Sequence, residues 1–201
     1  MISEKMKRMV ENNSAVRAMF EEGKKLAAIH GAENVYDFSL GNPNVPAPAA
    51  VKRAAEYILN EEDSLLVHGY MSNSGYEDSR QKIAESLNRR FGTSFSYENL
   101  LMTVGAAGGL NVILKTLLNP GEEVLTFAPY FLEYNNYVDN AGGKLIAAAP
   151  DTETFQPNLE KLEELISPKT KAIIINNPNN PTGVVYGEDT IQALAALLKR
   201  K

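Results

Sequence analysis

EEVLTFAPYFLEYNNYVDNAGGKLIAAAP, Glu122 to Pro150, holds two short apolar runs joined by a segment of helical composition that ends in Gly-Gly. Apolar runs of this length, bounded by glycine and proline, read as buried strands. Upstream, NLLMTV (Asn99 to Val104) reads as another strand, a glycine-rich turn follows, and GLNVILKTLLNPG reads as a helix beginning near Gly109. Downstream, NLEKLEELISP reads as a helix and KAIIINNP as a strand. Strand alternating with helix predicts a parallel sheet covered on both faces. The fold class is therefore α/β, a three-layer α/β/α sandwich with a mostly parallel sheet, occupying residues from about Ala49 onward.

Before Ala49 the pattern differs. AVRAMFEEGKKLAAIHG, after Ser14, spaces Val16, Met19, Phe20, Leu26, Ala27 and Ile29 as one amphipathic helix with Gly31 as its stop. VYDFSLGNPNVPAP then runs from a short apolar stretch into a loop with three prolines, where regular structure cannot continue. This marks a boundary, with residues 1–48 as an arm and helix and 49–201 as the larger domain. AAVKRAAEYILNEE and SRQKIAESLNRRFG, the second closed by Gly92, read as helices. The last helix, EDTIQALAALLKRK, has neither a cap nor a following strand, so the polypeptide is expected to be a piece of something longer.

Composition narrows the function classes. The chain has 201 residues, 44% hydrophobic and 22% charged, as a soluble globular protein does. A net charge of −5 supplies no basic field for nucleic acid or anionic lipid. With no cysteine, disulfides and thiolate metal sites are excluded, and His30 and His68 stand far apart without a ligand pattern. The N-terminal twenty residues mix both charge signs and lack the apolar stretch of a secretory signal. ALAALL and KLIAAA fall short of the roughly 20 residues that cross a bilayer. A cytoplasmic protein without membrane or nucleic-acid partners is expected.

Two segments carry chemistry. In TVGAAGGL, Thr103 to Leu110, small residues at the entry to a helix let backbone N–H groups approach an anion, and the helix end adds partial positive charge. A phosphate fits there; a tight connection that merely permits close packing explains the same residues equally well. The spacing is neither G-x-G-x-x-G nor a P-loop, which argues against a dinucleotide-binding domain. INNPNNPTG, Ile175 to Gly183, follows the strand KAIII directly and sets amides at the carboxyl end of a buried strand, where α/β proteins bind ligands. A simple turn is the alternative.

NPNNPTG (Asn177 to Gly183) resembles the most recognisable motif of the class I/II, or fold-type-I, pyridoxal-phosphate aminotransferases. SLGNP (Ser39 to Pro43), Tyr70 with Gly75, TVGAAGGL, EEVLTFAPYFLEY (Glu122 to Tyr134) and AGGKL (Ala141 to Leu145) resemble further family segments in family order. The resemblance runs from about Ser14 to the C-terminus and implies the N-terminal half of such an enzyme: a small-domain segment over 1–48 and part of the large domain over 49–201.

The resemblance implies pyridoxal 5'-phosphate as cofactor, with Gly105, Ala106 and Ala107 cupping its phosphate. Relatives often place a hydroxyl residue in this turn; its absence here gives the backbone amides a larger share. Phe131, in the Pro-x-aromatic Pro129-Tyr130-Phe131, is implied to lie on the pyridine face, where core packing is the alternative. Asn180 is implied to bond the cofactor's phenolic oxygen. The Ala128-Pro129 and Asn180-Pro181 bonds align with bonds that relatives often hold cis. Tyr70 matches a tyrosine that reaches the partner's phosphate across a homodimer, a plain surface tyrosine being the alternative. Gly41 matches a glycine beside the substrate carboxylate, though a turn glycine explains it almost as well.

The implied reaction moves an amino group between an amino acid and a 2-oxo acid. The lysine that forms the Schiff base in relatives, the aspartate at the pyridine nitrogen and the arginine for the substrate carboxylate have no match here, so this chain by itself is expected to be inactive. These motifs do not name the amino donor. A lyase or decarboxylase on the same scaffold, or a non-catalytic cofactor-binding or dimerising module, are the other readings.

Overall fold

The computed structural model describes residues 1–12, 15–36, 38, 41, 43 and 45–201, without the side chains of 11, 12, 15–18 and 20. Contacts divide the chain into two compact units, Met1–Tyr70 and Met71–Lys201. The division falls later than the expected 48/49 boundary and leaves the helix after Pro48 in the first unit.

The first unit is helical: α1 (Glu4–Asn12), α2 (Ala15–His30), a 3₁₀ turn (Ala32–Asn34), α3 (Ala49–Glu61) and the short α4 (Ser64–Val67). The expected amphipathic helix is α2, and Gly31 ends it at φ +86°, a conformation glycine adopts freely. α1 was not anticipated: a segment of mixed charge is a helix carrying i,i+3 pairs such as Lys7 on Glu4. Asp63 caps α4 by accepting from the Leu65 N–H at 2.8 Å. In the expected stretch Val35–Pro48, residues Asp37, Ser39, Leu40, Asn42 and Asn44 lie outside the described residues, and with them most of the SLGNP segment.

The second unit is the sandwich. Its elements are α5 (Glu77–Phe91), a 3₁₀ turn (Tyr97–Asn99), α6 (Gly105–Leu117), β1 (Glu123–Phe127), α7 (Glu133–Asn140), β2 (Lys144–Ala148), α8 (Leu159–Leu165), β3 (Thr170–Ile173) and α9 (Glu188–Arg200). The strands pair in the order β2-β1-β3, both pairings parallel, with an irregularity between Glu123 and Val124. β1 is central and buried from Val124 to Phe127, as a strand covered on both sides must be.

Alternation sorts its side chains into two cores. Leu125 and Phe127 join Ala148, Leu162, Leu194 and Leu197 under α8 and α9. Val124 joins Leu114, Leu118, Val138 and Ala141 under α6 and α7. Those two clusters are the two interlayer seams of the expected α/β/α sandwich.

One expected strand is corrected. NLLMTV is not part of the sheet: Leu100 to Val104 form an irregular connection, and Leu101 and Met102 are about half exposed. The helix after it begins at Gly105 rather than near Gly109. Apolar composition makes a segment strand-like, but a strand needs a neighbour to complete its hydrogen bonds, and here none pairs with it among the described residues.

Candidate functional site

A parallel sheet brings the carboxyl ends of its strands to one edge. From that edge β1 continues into Ala128–Leu132 and β3 into Ile174–Gly187. α7, which follows β1, covers one face, whereas α9, which follows β3, covers the other. Exits that diverge to opposite faces from adjacent strands mark the usual ligand position of open α/β sheets. The Thr126 hydroxyl ties the two strands at this end, donating to the Ile174 carbonyl at 3.0 Å.

Side chains bind the two exits together. The ring of Phe131 stands edge-on to Tyr134 with centroids 5.7 Å apart, and Tyr130 stacks on Tyr134 at 6.4 Å. Phe127, at the end of β1, meets Tyr186 of the β3 exit edge-on at 6.4 Å. Burial pushes the Tyr186 phenol above the usual tyrosine range; the Asn179 hydrogen bond opposes this and the Tyr134 phenol reinforces it. Burial likewise raises Tyr134, with a smaller contribution from Tyr137.

The β3 exit is a closed polar loop. Asn177 Oδ1 accepts from the Tyr186 N–H at 2.9 Å, and Asn177 Nδ2 donates to the Tyr186 carbonyl at 3.2 Å. Buried Asn179 donates to the Tyr186 hydroxyl at 3.0 Å, while its Oδ1 accepts from the Thr182 hydroxyl at 2.8 Å and the Thr182 N–H at 3.2 Å. Its Oδ1 and Nδ2 are thus both used. Asn180 is held by its backbone, whose N–H donates to Asn176 Oδ1 at 2.9 Å. Its side chain is exposed, and no hydrogen bond engages it among the described residues. Ala128-Pro129 and Asn180-Pro181 are cis, as is Asn177-Pro178.

The glycine-rich turn is the start of α6. Gly105 has φ +67°, which favours glycine, and a Cβ built there would meet no atom within 4 Å. Val104 occupies the N-cap position without a side-chain cap, and the Gly105 N–H donates to the Thr103 carbonyl at 3.0 Å, so it is the amides after Gly105 in this thirteen-residue helix that are left to an external acceptor. The Thr103 hydroxyl turns instead to the Gly105 carbonyl, to which it donates at 3.1 Å. The last turn of α6 packs Leu114 beside Val124 at the start of β1. A helix joined by a short loop to the strand it covers runs antiparallel to it, which directs the Gly105 end toward the strands' carboxyl edge.

The chain matches the aminotransferase class I and II family over residues 32–201. It belongs to that family. Among curated relatives, the aspartate aminotransferase of Thermotoga maritima is 33% identical over 186 residues, 92% of this chain and 48% of that protein. The aspartate/prephenate aminotransferase of Thermus thermophilus is 35% identical over 158 residues, 78% of this chain and 40% of that protein. An amino transferase from Eubacterium rectale, known as a crystal structure, superposes with a TM-score of 0.94 at 44% identity, covering 100% of this chain and 51% of that one. The chain spans about half the length of the relatives it matches.

Class I and II aminotransferases depend on pyridoxal 5'-phosphate. The residues present fit that group: uncapped amides with open space above Gly105 suit a phosphate, and the part-exposed ring of Phe131 suits a pyridine face. Of the residues expected from the aminotransferase resemblance, Gly105, Ala106, Ala107, Phe131 and Asn180 are exposed in the second unit. Tyr70 and Gly41 belong to the first, Tyr70 with its side chain fully exposed and Gly41 with nothing within 4 Å of a built Cβ.

The sequence reading missed the Asn177–Asn179–Tyr186 lock and the buried Arg80. Arg80 lies in α5, where an arginine ordinarily reads as solvated. Asparagine repeated ahead of a tyrosine was the one available signal for the lock.

Proposed function

We propose that this chain carries the phosphate-binding and ring-binding part of an aminotransferase that moves an amino group between an amino acid and a 2-oxo acid. The observation that carries the proposal is the uncapped start of α6 in a family member. Gly105 shapes an open turn in which the backbone amides of Ala106 and Ala107 bind the cofactor phosphate, helped by the helix dipole. Phe131 lies against the pyridine face, and the Asn180 side-chain amide donates to the phenolic oxygen. When bound, the pyridine ring stabilises the electron pair left at the substrate α-carbon as its proton departs.

In this proposal residues 1–48 are an arm and small-domain segment and 49–201 part of the large domain. The assembly is a homodimer in which Tyr70 reaches the partner's phosphate, and Gly41 offers its backbone to the substrate carboxylate. The location is cytoplasmic. No helix among the described residues is long and apolar enough to cross a membrane. Aspartate is the donor to test first, because the Thermotoga and Thermus relatives carry that name.

The protein encoded by the full reading frame is incubated with pyridoxal 5'-phosphate, aspartate and 2-oxoglutarate, and oxaloacetate is measured against ammonia and carbon dioxide. Oxaloacetate supports the proposal. Ammonia or carbon dioxide in its place identifies a lyase or decarboxylase, and the absence of any product with aspartate and then with alanine and aromatic donors leaves a non-catalytic cofactor-binding or dimerising module.

A further inference from the structure

The connection into the candidate phosphate turn is held in an unusual way. Leu101, Met102 and Val104 are 53%, 47% and 96% exposed, so burial of side chains does not fix Leu100–Val104, and no sheet ladder does either. Buried Arg80 reaches it from α5. Its guanidinium donates to the Gly75 carbonyl at 3.2 Å, to the Tyr97 carbonyl at 2.7 Å and to the Leu100 carbonyl at 3.4 Å, and it sits 5.3 Å from the centre of the Tyr97 ring. Removing a charge from water is costly unless its donors are used. Here Nε and Nη1 of the planar fork are spent on backbone carbonyls of two separate segments.

Bonds continue from those carbonyls to the turn. The Met102 N–H donates to the Ser74 carbonyl at 3.0 Å, which ties the connection to the Ser72–Gly75 loop that Arg80 also holds. The Gly105 N–H donates to the Thr103 carbonyl at 3.0 Å, and the Thr103 hydroxyl donates to the Gly105 carbonyl at 3.1 Å. Asn88, two turns further along α5, secures the start of the same return, bonding the Phe95 N–H and carbonyl at 2.8 Å each.

We propose that Arg80 is a positioning residue for the first turn of α6: by clamping the carbonyls of Gly75, Tyr97 and Leu100, it sets where the Ala106 and Ala107 amides point. The proposal rests on the phosphate reading of that turn.

Pyridoxal 5'-phosphate and inorganic phosphate are titrated into this chain and into Arg80→Met and Arg80→Lys, with amide hydrogen exchange followed on the same samples. The expected result for Arg80→Met is about tenfold weaker binding of either probe. Exchange at Leu100 and Met102 should rise by about tenfold or more, while Val124–Phe127 of β1 keeps its protection. Arg80→Lys should recover part of both effects, because an ammonium keeps the charge but cannot span three carbonyls.

Unchanged affinity and unchanged exchange in Arg80→Met overturn the role of Arg80. So does an equal loss of protection in β1 in both variants, which makes Arg80 a residue of general stability. Failure of the unsubstituted chain to bind either probe instead overturns the phosphate reading itself, and it is seen before any variant is compared.

Discussion

Asn179 Nδ2 donates to the hydroxyl of Tyr186 at 3.0 Å with both side chains buried, so the exit loop of β3 is latched by a residue seven positions on. Removing the hydroxyl leaves a buried amide donor without an acceptor. Tyr186→Phe should keep the edge-on contact with Phe127 and lower stability by about 1–2 kcal/mol. Urea unfolding followed by far-UV circular dichroism checks this, and an unchanged midpoint would show that the latch contributes nothing.

Gly75 is fixed by two constraints at once. Its φ is +94°, and a Cβ there would lie 2.5 Å from Met102 Cγ and 2.8 Å from Met102 Cβ. Gly75→Ala should therefore cost about 1–3 kcal/mol, more than conformational preference alone predicts. Shortening the opposing side chain in Gly75→Ala/Met102→Ala should return only part of that loss, because the backbone strain persists. Thermal unfolding of the single and double variants separates the two contributions.

The sandwich was legible where a run's composition and its neighbours agreed. EEVLTF, KLIAAA and KAIII became the three parallel strands, because short apolar runs closed by glycine, proline or asparagine have few other ways to bury themselves. NLLMTV had the same composition and failed, since pairing depends on which strand lies alongside and not on the run itself. In the candidate site, the glycine turn and the asparagine-proline exit were readable as local backbone chemistry. Arg80 and the Tyr186 latch were not, because each is defined by partners five to twenty residues away. A helical arginine looks the same on paper whether it meets water or three carbonyls.

Asp151 offers a pH test. The Thr154 and Glu153 N–H groups donate to its carboxylate at 2.8 and 2.9 Å and hold its pKa below the ordinary value. A depressed pKa stabilises the folded turn above the unfolded-state pKa, and that contribution is lost as pH falls through the folded-state value. The carboxyl resonance of Asp151 should titrate below the ordinary aspartate value, with the Glu153 and Thr154 amides moving in step. Asp151→Asn keeps an acceptor and should abolish the pH response while preserving the turn.

Leu162 tests the seam under α8. Its side chain is fully enclosed among Leu125, Phe127, Ala148, Leu194 and Leu197, so truncation leaves a hole that neighbours on three elements cannot all close. Leu162→Ala should cost about 2–5 kcal/mol. Leu165→Ala, at the half-buried end of the same helix, should cost visibly less. Equal losses in paired urea titrations would mean that the seam is not the tightly packed layer described.

The proposed phosphate turn can be separated from the proposed ring contact by two substitutions. An acidic residue in the first turn favours the helix, by about 0.3–1 kcal/mol at an exposed position, yet repels an anion at the same amides. Ala106→Asp should therefore keep or raise the melting temperature while abolishing binding of both inorganic phosphate and pyridoxal 5'-phosphate. Phe131→Ala removes only a ring face, worth about 0.5–1.5 kcal/mol, so cofactor affinity should fall roughly two- to tenfold with phosphate affinity unchanged. Isothermal titration of both ligands against both variants gives four numbers. Should Ala106→Asp bind phosphate as tightly as the unsubstituted chain, the anion does not sit at these amides, because a fixed negative charge within one helical turn cannot be neutral toward it.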